Sequence, residues 1–131
     1  MTDSIAPARV FKSAWFAKAA RKAGIPDDAL CAAIAQVIAG QADDLGGGVY
    51  KKRLRNNDYR AIILAKGRDY WVYQYLFAKK DRANIDAAEL KAFRQLARNY
   101  AALTAAHVGA LLTDKDWIEI CRNAGKQETA S

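Results

Sequence analysis

Five cations lie within ten residues near the middle of the chain. Among the residues of this sequence, their types and spacing are the best suited to binding a polyanion and acting on it. They are Lys51, Lys52, Arg53, Arg55 and Arg60, in a segment whose alternation otherwise predicts a β-hairpin. Like charges on neighbouring strand positions repel each other, so a block of one sign indicates a bound polyanion. We favour RNA as that polyanion, with a merely solvated basic face as the alternative.

Such a set can cleave RNA, because the 2′-hydroxyl of RNA is an internal nucleophile. The enzyme must align that hydroxyl, move its proton and stabilise the charged phosphorane. A lysine crowded by other cations has its protonated form disfavoured, which makes it a better general base. Fixed arginines can hold the developing charge. DNA lacks the 2′-hydroxyl, so this mechanism is specific for RNA.

Other catalytic groups are few. His107 is the only histidine, and it stands near the predicted end of a helix, away from any cluster with metal-ligand spacing. The sequence indicates neither a serine–histidine–aspartate arrangement nor a carboxylate pair suited to two-metal chemistry. We therefore expect no metal site and no cofactor.

Length predicts one domain over residues 1–131, with its core at about 8–106 and a C-terminal extension at 107–131. The net charge of +7 suits a nucleic-acid-binding protein. No apolar run approaches the roughly 20 residues of a membrane span, so no membrane partner is expected. Cys31 and Cys121 lack a CxxC spacing and are interpreted as free thiols. Free thiols and the lack of a cationic leader predict a cytoplasmic protein.

The hydrophobic pattern predicts an α+β fold that would position the cations on a sheet. A short β-like run at 8–12 leads into two helices, which end at Gly24 and Gly40. Gly46–Gly48 precedes a strand and lacks a following Lys-Ser or Lys-Thr, so it predicts a turn rather than a phosphate loop. Three strands with short turns then predict an antiparallel meander: Val49–Arg55, Tyr59–Ala65 and Tyr70–Phe77.

A long helix is predicted from Asp86 to about Ala106, with a capping box formed by Asp86 and Glu89. The expected fold is thus two N-terminal helices packed on a small antiparallel sheet, in the order β-α-α-β-β-β, followed by this long C-terminal helix. The tail contains Trp117–Ile120, which predicts a short strand or a clasp. Trp117 could contact a partner or fold onto the protein's own core.

Alternation along the strands predicts a basic row and an aromatic row. The basic row on the first strand is Lys51, Arg53 and Arg55, with Lys52 on the opposite face. The aromatic row on the third strand is Trp71, Tyr73, Tyr75 and Phe77. Cations and aromatic rings together suit single-stranded RNA, because cations bind phosphates while rings stack on bases. For Trp71 and Phe77 we favour a core role, whereas Tyr73 and Tyr75 are open between core and base stacking.

Three pieces of the chain resemble the RelE/ParE superfamily of type II toxin–antitoxin toxins, and they are closest to its RelE-like branch. They are Val49–Arg55, the Tyr59–Arg60 step and the segment 77–85, Phe-Ala-Lys-Lys-Asp-Arg-Ala-Asn-Ile. The resemblance covers about residues 8–105 and implies a ribosome-dependent endoribonuclease that cuts mRNA in the A site without a metal. It also implies a cognate antitoxin, often one with a helix-turn-helix domain, beside mRNA and the ribosome.

By position, the resemblance implies a catalytic set of four cations: Lys51, Arg53, Arg60 and Lys80. Lys51 falls at the first of the family's paired strand lysines and is the better base, while Arg60 matches its phosphate-contacting arginine. We expect further RNA contacts from neighbouring cations and tyrosines: Lys52, Arg55, Tyr59, Tyr73, Tyr75, Lys79 and Arg82. The family's base-stacking tyrosine falls at or near Asp86, so one of these tyrosines would have to replace it.

Two other functions stay open at this point. ParE-like members of the superfamily inhibit DNA gyrase and generally lack the basic catalytic set, so its presence here favours the ribonuclease. A non-catalytic RNA- or ribosome-binding module would keep the basic surface without the chemistry. Substitution of Arg60 separates these cases, because a binder loses affinity gradually with each cation whereas an enzyme loses turnover abruptly.

Overall fold

A computed structural model describes residues 8–67 and 69–122. Within these ranges the elements are, in chain order, β1 (Arg9–Ser13), α1 (Ala14–Ala23), α2 (Asp27–Ile38), β2 (Asp43–Gly46), β3 (Val49–Leu54), β4 (Tyr59–Lys66), β5 (Tyr70–Ala78), α3 (Ala87–Ala101), α4 (Ala105–Thr113) and β6 (Trp117–Ile120). The strands form one sheet with the order β2-β3-β4-β5-β1-β6. β1 runs parallel to β5, and the other neighbours are antiparallel.

The α+β class is confirmed, and so are the two N-terminal helices and the three central strands. The Ser13 hydroxyl caps α1 by accepting from the Phe16 amide at 3.0 Å. Gly24 ends this helix in the left-handed conformation, with φ of 72°, as a C-terminal glycine commonly does. The antiparallel sheet is a correction: the sheet is mixed, because β1 pairs in parallel with β5 after the chain has crossed through α1, α2 and the meander.

The long C-terminal helix is a second correction. α3 ends at Ala101, and Thr104 adopts an extended conformation that begins the new helix α4. Thr104 and His107 form a capping box, in which His107 Nδ1 accepts from the Thr104 amide at 3.2 Å. His107 therefore caps the start of a helix rather than lying near the end of a long one. The short strand β2, ahead of the glycine turn, is an element that the sequence pattern did not predict.

The sheet carries helices on both faces. α1 and α2 bury one face through a cluster that includes Phe16, Leu30, Ile63, Trp71 and Tyr73. α3 buries part of the other face, hereafter the α3 face, through Val49, Ile62, Leu64, Phe77 and Ala97. Trp117 of β6 is buried beside α4 and stacks on Phe11 of β1. Trp117–Ile120 thus belongs to the protein's own core, and its strand interpretation is confirmed. Residues 123–131 of the predicted extension lie outside the described residues.

A bulge in β5 divides the predicted aromatic row. Ile62 pairs with Tyr75 while Ile63 pairs with Tyr73, so Gln74 is an extra residue without a partner on β4. An extra residue reverses the alternation of side chains beyond it. Tyr73 therefore packs against α1 and α2, whereas Tyr75 and Phe77 lie on the α3 face. The prediction of one row on one face is wrong, although the core roles of Trp71 and Phe77 are confirmed.

The glycine turn holds β2 and β3 together beneath α3. Gly48 has φ of 84°, and a Cβ atom added there would lie 2.9 Å from the Ala65 carbonyl oxygen, so this position requires glycine. The Arg94 guanidinium of α3 donates to the carbonyls of Leu45 and Gly46. α3 is thereby fixed across the sheet at the β2–β3 hairpin.

The two cysteines are a third correction, since Cys31 and Cys121 form a disulfide across 90 residues of sequence. β6 pairs with β1 and brings Cys121 onto α2, a proximity that sequence spacing could not indicate. The cytoplasmic expectation therefore loses its free-thiol premise. In the described part of the chain, no helix has the length and apolarity that crossing a membrane requires.

Reduction of this disulfide should lower the free energy of unfolding by about 2–4 kcal/mol, because the crosslink closes a long loop in the unfolded chain. Urea denaturation with and without a thiol reductant measures the difference. The double variant Cys31→Ser/Cys121→Ser serves as the control, since its stability should not respond to the reductant. Alkylation of both cysteines in the native, unreduced protein would contradict the pairing.

Candidate nucleic-acid interface

Lys51, Arg53 and Arg60 lie on the same face of the sheet. Lys51 and Arg53 stand two and four positions after the buried Val49 on β3, so they point to the α3 face with it. Arg53 is directly opposite Arg60 on β4, and Arg60 is opposite Phe77 on β5. The structure therefore brings three of the four predicted catalytic cations together, near the turn that joins β3 and β4.

The amine of Lys51 is held in place above the sheet. Its side chain is 16% exposed, and Nζ lies 3.8 Å from Asp43 Oδ2. Nζ also donates to Asn84 Oδ1 at 3.2 Å. Both partners come from segments at the rim of the α3 face, the strand β2 and the loop before α3. These partners position the amine, and an incoming phosphate or hydroxyl could replace them.

The two arginines differ in how firmly they are held. Arg60 is 9% exposed, and its Nη1 donates to the carbonyls of Asn57 at 2.9 Å and Tyr59 at 3.2 Å. Arg53 is exposed and makes no hydrogen bond or ion pair within residues 8–67 and 69–122. Two guanidinium groups at one cross-strand pair repel each other unless an anion lies between them. The Arg53–Arg60 pair is thus suited to hold a phosphate.

Lys79 and Lys80 follow the end of β5 at the same end of the sheet. They are exposed, and with Asp58, Tyr59 and Ala78 they line an open cavity of about 480 Å³. The Lys79 amide donates to the Asp58 carbonyl at 2.8 Å, which ties this segment to the β3–β4 turn. Lys80 therefore lies across this cavity from the start of β4, the strand that carries Arg60.

Lys52 and Arg55 lie away from this cluster. Lys52 is on the opposite face, as the alternation predicted, and its Nζ donates to the Gln41 carbonyl at 3.1 Å. Arg55 was expected beside Lys51 and Arg53, but it follows the end of β3 and has φ of 53°. Its Nη1 donates to the Ala23 carbonyl at 2.8 Å, at the C-terminal end of α1. The positive φ of the turn breaks the alternation, so the basic row on β3 ends at Arg53.

The Arg82 guanidinium is bonded to other groups of the protein. Its guanidinium forms two hydrogen bonds with the Glu89 carboxylate, at 2.9 and 2.5 Å, and Nε donates to the Asn84 carbonyl at 3.0 Å. The hydrogen bond with Glu89 raises the pKa of Arg82, and the hydrogen bond with Arg82 lowers the pKa of Glu89. Arg82 therefore fixes the loop that carries Asn84 to Lys51, instead of presenting a free cation to RNA.

The three predicted tyrosines separate by burial. Tyr73 has no exposed surface, and its hydroxyl donates to the Leu30 carbonyl at 2.7 Å, so it is not accessible to a base. Tyr59 is half-buried and lines the cavity beside Lys79 and Lys80. Tyr75 is half-buried on the α3 face and stacks on Trp15. Asp86 caps α3, where it accepts from the Glu89 amide at 2.8 Å, as the capping box predicted.

Sequence reasoning missed three residues around these groups: Asn84, Asp43 and Trp15. Asn84 and Asp43 are remote from Lys51 in sequence, so only the tertiary structure shows that they contact its amine. Trp15 did have a local signal. It stands next to Phe16, and successive residues of an α-helix point about 100° apart, so only one of two adjacent aromatic residues can point straight at the sheet. Phe16 is fully buried and Trp15 is exposed.

The structure is thus a mixed sheet with helices on both faces and a cluster of cations at one end of the α3 face. The model of the family described as the RelE toxin of the RelE/RelB toxin–antitoxin system matches residues 8–120, and the chain belongs to this family. Neither the comparison with curated proteins nor the comparison with solved structures returned a match. Family membership supports a toxin role and implies a cognate antitoxin as partner.

Substitution of Glu89→Gln should lower the melting temperature near neutral pH, because Arg82 loses its carboxylate partner. The pKa of Glu89 is lowered in the folded protein from its ordinary value of 4.5. The carboxylate therefore stabilises the fold fully above pH 4.5 and loses this effect as the pH falls through the lowered value. We expect the difference in melting temperature between wild type and variant to be constant above that pH and to shrink below it.

Thermal unfolding followed by circular dichroism between about pH 3 and pH 7 measures this difference. Asp81→Asn is the matched control, since Asp81 lies in the same loop and makes no ion pair within the described residues. Its melting temperature should follow that of the wild type. A difference between wild type and Glu89→Gln that persisted at the lowest pH would show that the ion pair is not its cause.

Proposed function

We propose that this toxin is a metal-independent endoribonuclease that cleaves mRNA on the ribosome and so inhibits translation. The observation that carries the proposal is the direct cross-strand pairing of Arg53 with Arg60 beside Lys51. An RNA phosphate is the ligand that best relieves the repulsion within such a pair, and the amine of Lys51 is close enough in the sheet to act on the adjoining ribose. Action on the ribosome implies a location in the cytoplasm.

In the proposed reaction, Lys51 acts as the general base that takes the proton of the 2′-hydroxyl. The 2′-oxygen then bonds to the neighbouring phosphorus, the bond from phosphorus to the 5′-oxygen breaks, and the 5′-oxygen takes up a proton from solvent water. Lys51 returns the proton that it took to the solvent, which restores the base. The products are a 2′,3′-cyclic phosphate and a 5′-hydroxyl. Arg53 and Arg60 would hold the charge that develops on the phosphorane oxygens, and the rigid placement of Arg60 by two carbonyls suits this role.

Lys80 would also stabilise the charge on the phosphorane, since its segment lies against the turn that positions Arg60. Lys79 lines the same cavity and is proposed to contact a nucleotide that flanks the scissile bond. Tyr59 also lines this cavity, but it packs against the cluster beneath α1 and α2, on the face opposite to Arg60, so it would meet RNA only where the strand passes the end of the sheet. Lys52, Arg55, Tyr73 and Arg82 are left out of the proposed RNA contacts, because each is on another face, buried or bonded within the protein.

The antitoxin is proposed to act by covering the basic face with acidic side chains, and a helix-turn-helix domain in it would bind operator DNA. Two other functions give different results in the experiments below. A ParE-like inhibitor of DNA gyrase would arrest growth without cutting mRNA. A non-catalytic RNA- or ribosome-binding module would bind RNA and cut nothing.

Induced expression of the wild type should arrest growth and create new 5′ ends within translated codons of a reporter mRNA, as seen by primer extension. Arg60→Ala should abolish both effects, with cleavage reduced by about 10²-fold or more, because a fixed donor to the developing charge is lost. Lys66→Ala is the matched control. It removes a cation from the same strand, six residues and about 20 Å away, and should cleave like the wild type. Arrest by the wild type without new 5′ ends would contradict the nuclease.

Lys51→Ala should separate turnover from binding. With the purified protein, we expect single-turnover cleavage of ribosome-bound mRNA to fall by about 10²-fold or more, because the general base is lost. Binding of an uncleavable RNA should weaken by less than about tenfold, since one phosphate contact among several is removed. An equal loss of binding and cleavage would show that Lys51 only binds.

A further inference from the structure

Trp15 presents an aromatic ring to solvent. Its side chain is 52% exposed, while Trp71 and Trp117 are 6% and 3% exposed. The exposed ring lies on Tyr75, with the ring centroids 5.1 Å apart and the planes within 24° of each other. About half of the Trp15 side chain is thus open to solvent beside its partner ring, and exposed aromatic rings are the usual platforms for unpaired bases.

Tyr75 is held rigidly beneath this ring. Phe93 of α3 lies 5.8 Å from Tyr75 and Phe77 lies 5.9 Å from it, measured between ring centroids. The Tyr75 hydroxyl accepts from Arg82 Nη1 at 3.4 Å. The stack therefore rests on the core and on the Arg82–Glu89 pair. Tyr75 is thus a fixed support for Trp15, and a base could stack on Trp15 without reordering the protein.

The helix that carries Trp15 is also basic. α1 contains Lys18, Arg21 and Lys22 and no acidic residue, and all three cations are exposed without an ion pair within the described residues. Lys18 and Lys22 are three and seven positions after Trp15, so they lie on its side of the helix. An exposed aromatic ring followed by unpaired cations favours a polyanion with bases over an apolar protein surface.

The Trp15–Tyr75 stack also borders the proposed catalytic cluster. Tyr75 pairs with Ile62, and Ile62 pairs with Lys51, across three adjacent strands. Neighbouring strands are about 4.8 Å apart, so the backbones of Tyr75 and Lys51 are about 10 Å apart. A single RNA strand can therefore reach the stack and the cations of β3 and β4 together.

We propose that Trp15 and Tyr75 form a base-stacking shelf for an unpaired nucleotide of the RNA, with neighbouring phosphates on Lys18 and Lys22. The inference deepens the proposed function, because it rests on RNA as the substrate. The shelf supplies the stacking contact that Asp86 cannot make, and it does so from α1 rather than from the end of the sheet.

Fluorescence and binding test this shelf directly, because Trp15 is the exposed tryptophan and the other two are buried. The probe is a 2′-O-methyl oligoadenylate of about 10 nucleotides, within the site sizes of such grooves, which the enzyme cannot cleave. We expect it to quench the exposed tryptophan and to protect it from acrylamide. An abasic oligonucleotide with the same phosphates should bind more weakly and leave the fluorescence unchanged.

Trp15→Ala should weaken binding of the oligoadenylate by about 5- to 150-fold, the range for loss of one base–aromatic contact, while Trp15→Phe should retain most of the affinity. Ile38→Ala is the matched control, since Ile38 is an exposed apolar residue, 40% accessible, at the end of α2. Its affinity should equal that of the wild type.

Three results would overturn the shelf. They are equal quenching by the abasic and base-bearing probes, unchanged binding by Trp15→Ala, and protection of Trp15 by the antitoxin but not by RNA. Cleavage assays keep this failure separate from failure of the nuclease. If Arg60→Ala abolishes cleavage while Trp15→Ala binds normally, the nuclease stands and the shelf falls. If Trp15→Ala weakens binding but no form of the protein cuts RNA, the shelf stands and the nuclease falls.

Discussion

Gln74 forms a bulge in β5, since it has no partner residue on β4, and this bulge sets the arrangement of side chains on both faces of the sheet. Its carbonyl accepts from the Ser13 hydroxyl at 3.4 Å, where β1 ends and α1 begins. Its side-chain oxygen accepts from the Tyr100 hydroxyl at 2.8 Å, near the end of α3. The bulge therefore joins the start of one helix to the end of another. Without it, Tyr75 would turn toward α2, and the support for Trp15 on the α3 face would be lost.

The segments around Lys51 and Arg60 hold these two members of the basic cluster mainly through neutral acceptors. Arg60 is held by main-chain carbonyls, which are neutral acceptors. Lys51 is held mainly by an amide oxygen, with one carboxylate at a longer distance. The full ion pair in this region is between Arg82 and Glu89, which lie in the loop and α3 rather than in the cluster. The positive charge is thus positioned and left available for an external anion.

Local rules predicted the parts of the fold that local interactions decide. The caps at Ser13 and Gly24 bound α1, and strand alternation placed Lys51 and Arg53 on one face. The rules failed where one residue changes the local geometry, as Gln74 does in β5 and Thr104 does between α3 and α4. The composition of β5 does not indicate the bulge at Gln74. The helical periodicity of the alanine-rich sequence continues past Thr104, so it does not show that a new helix begins there.

Long-range pairings were out of reach for a related reason. The disulfide depends on where β6 docks, and the partners of Lys51 depend on how the loop before α3 folds back. Arg55 and Arg82 looked like surface cations because sequence gives their charge but not their partners. In the structure one meets the carbonyls at the end of α1, and the other meets Glu89.

The position of Asp86 shows why base stacking would have to move elsewhere in this chain. Asp86 caps α3, and its amide donates to Glu89 at 2.8 Å in return. Glu89 in turn holds Arg82, and Arg82 holds the Asn84 carbonyl in the loop that meets Lys51. An aromatic residue at 86 would provide stacking but remove the side-chain cap, which typically stabilises a helix by about 1 kcal/mol. It would also loosen the loop beside the proposed base. A stacking contact on α1 avoids this conflict, since Trp15 reaches the same face of the sheet without taking part in the cap.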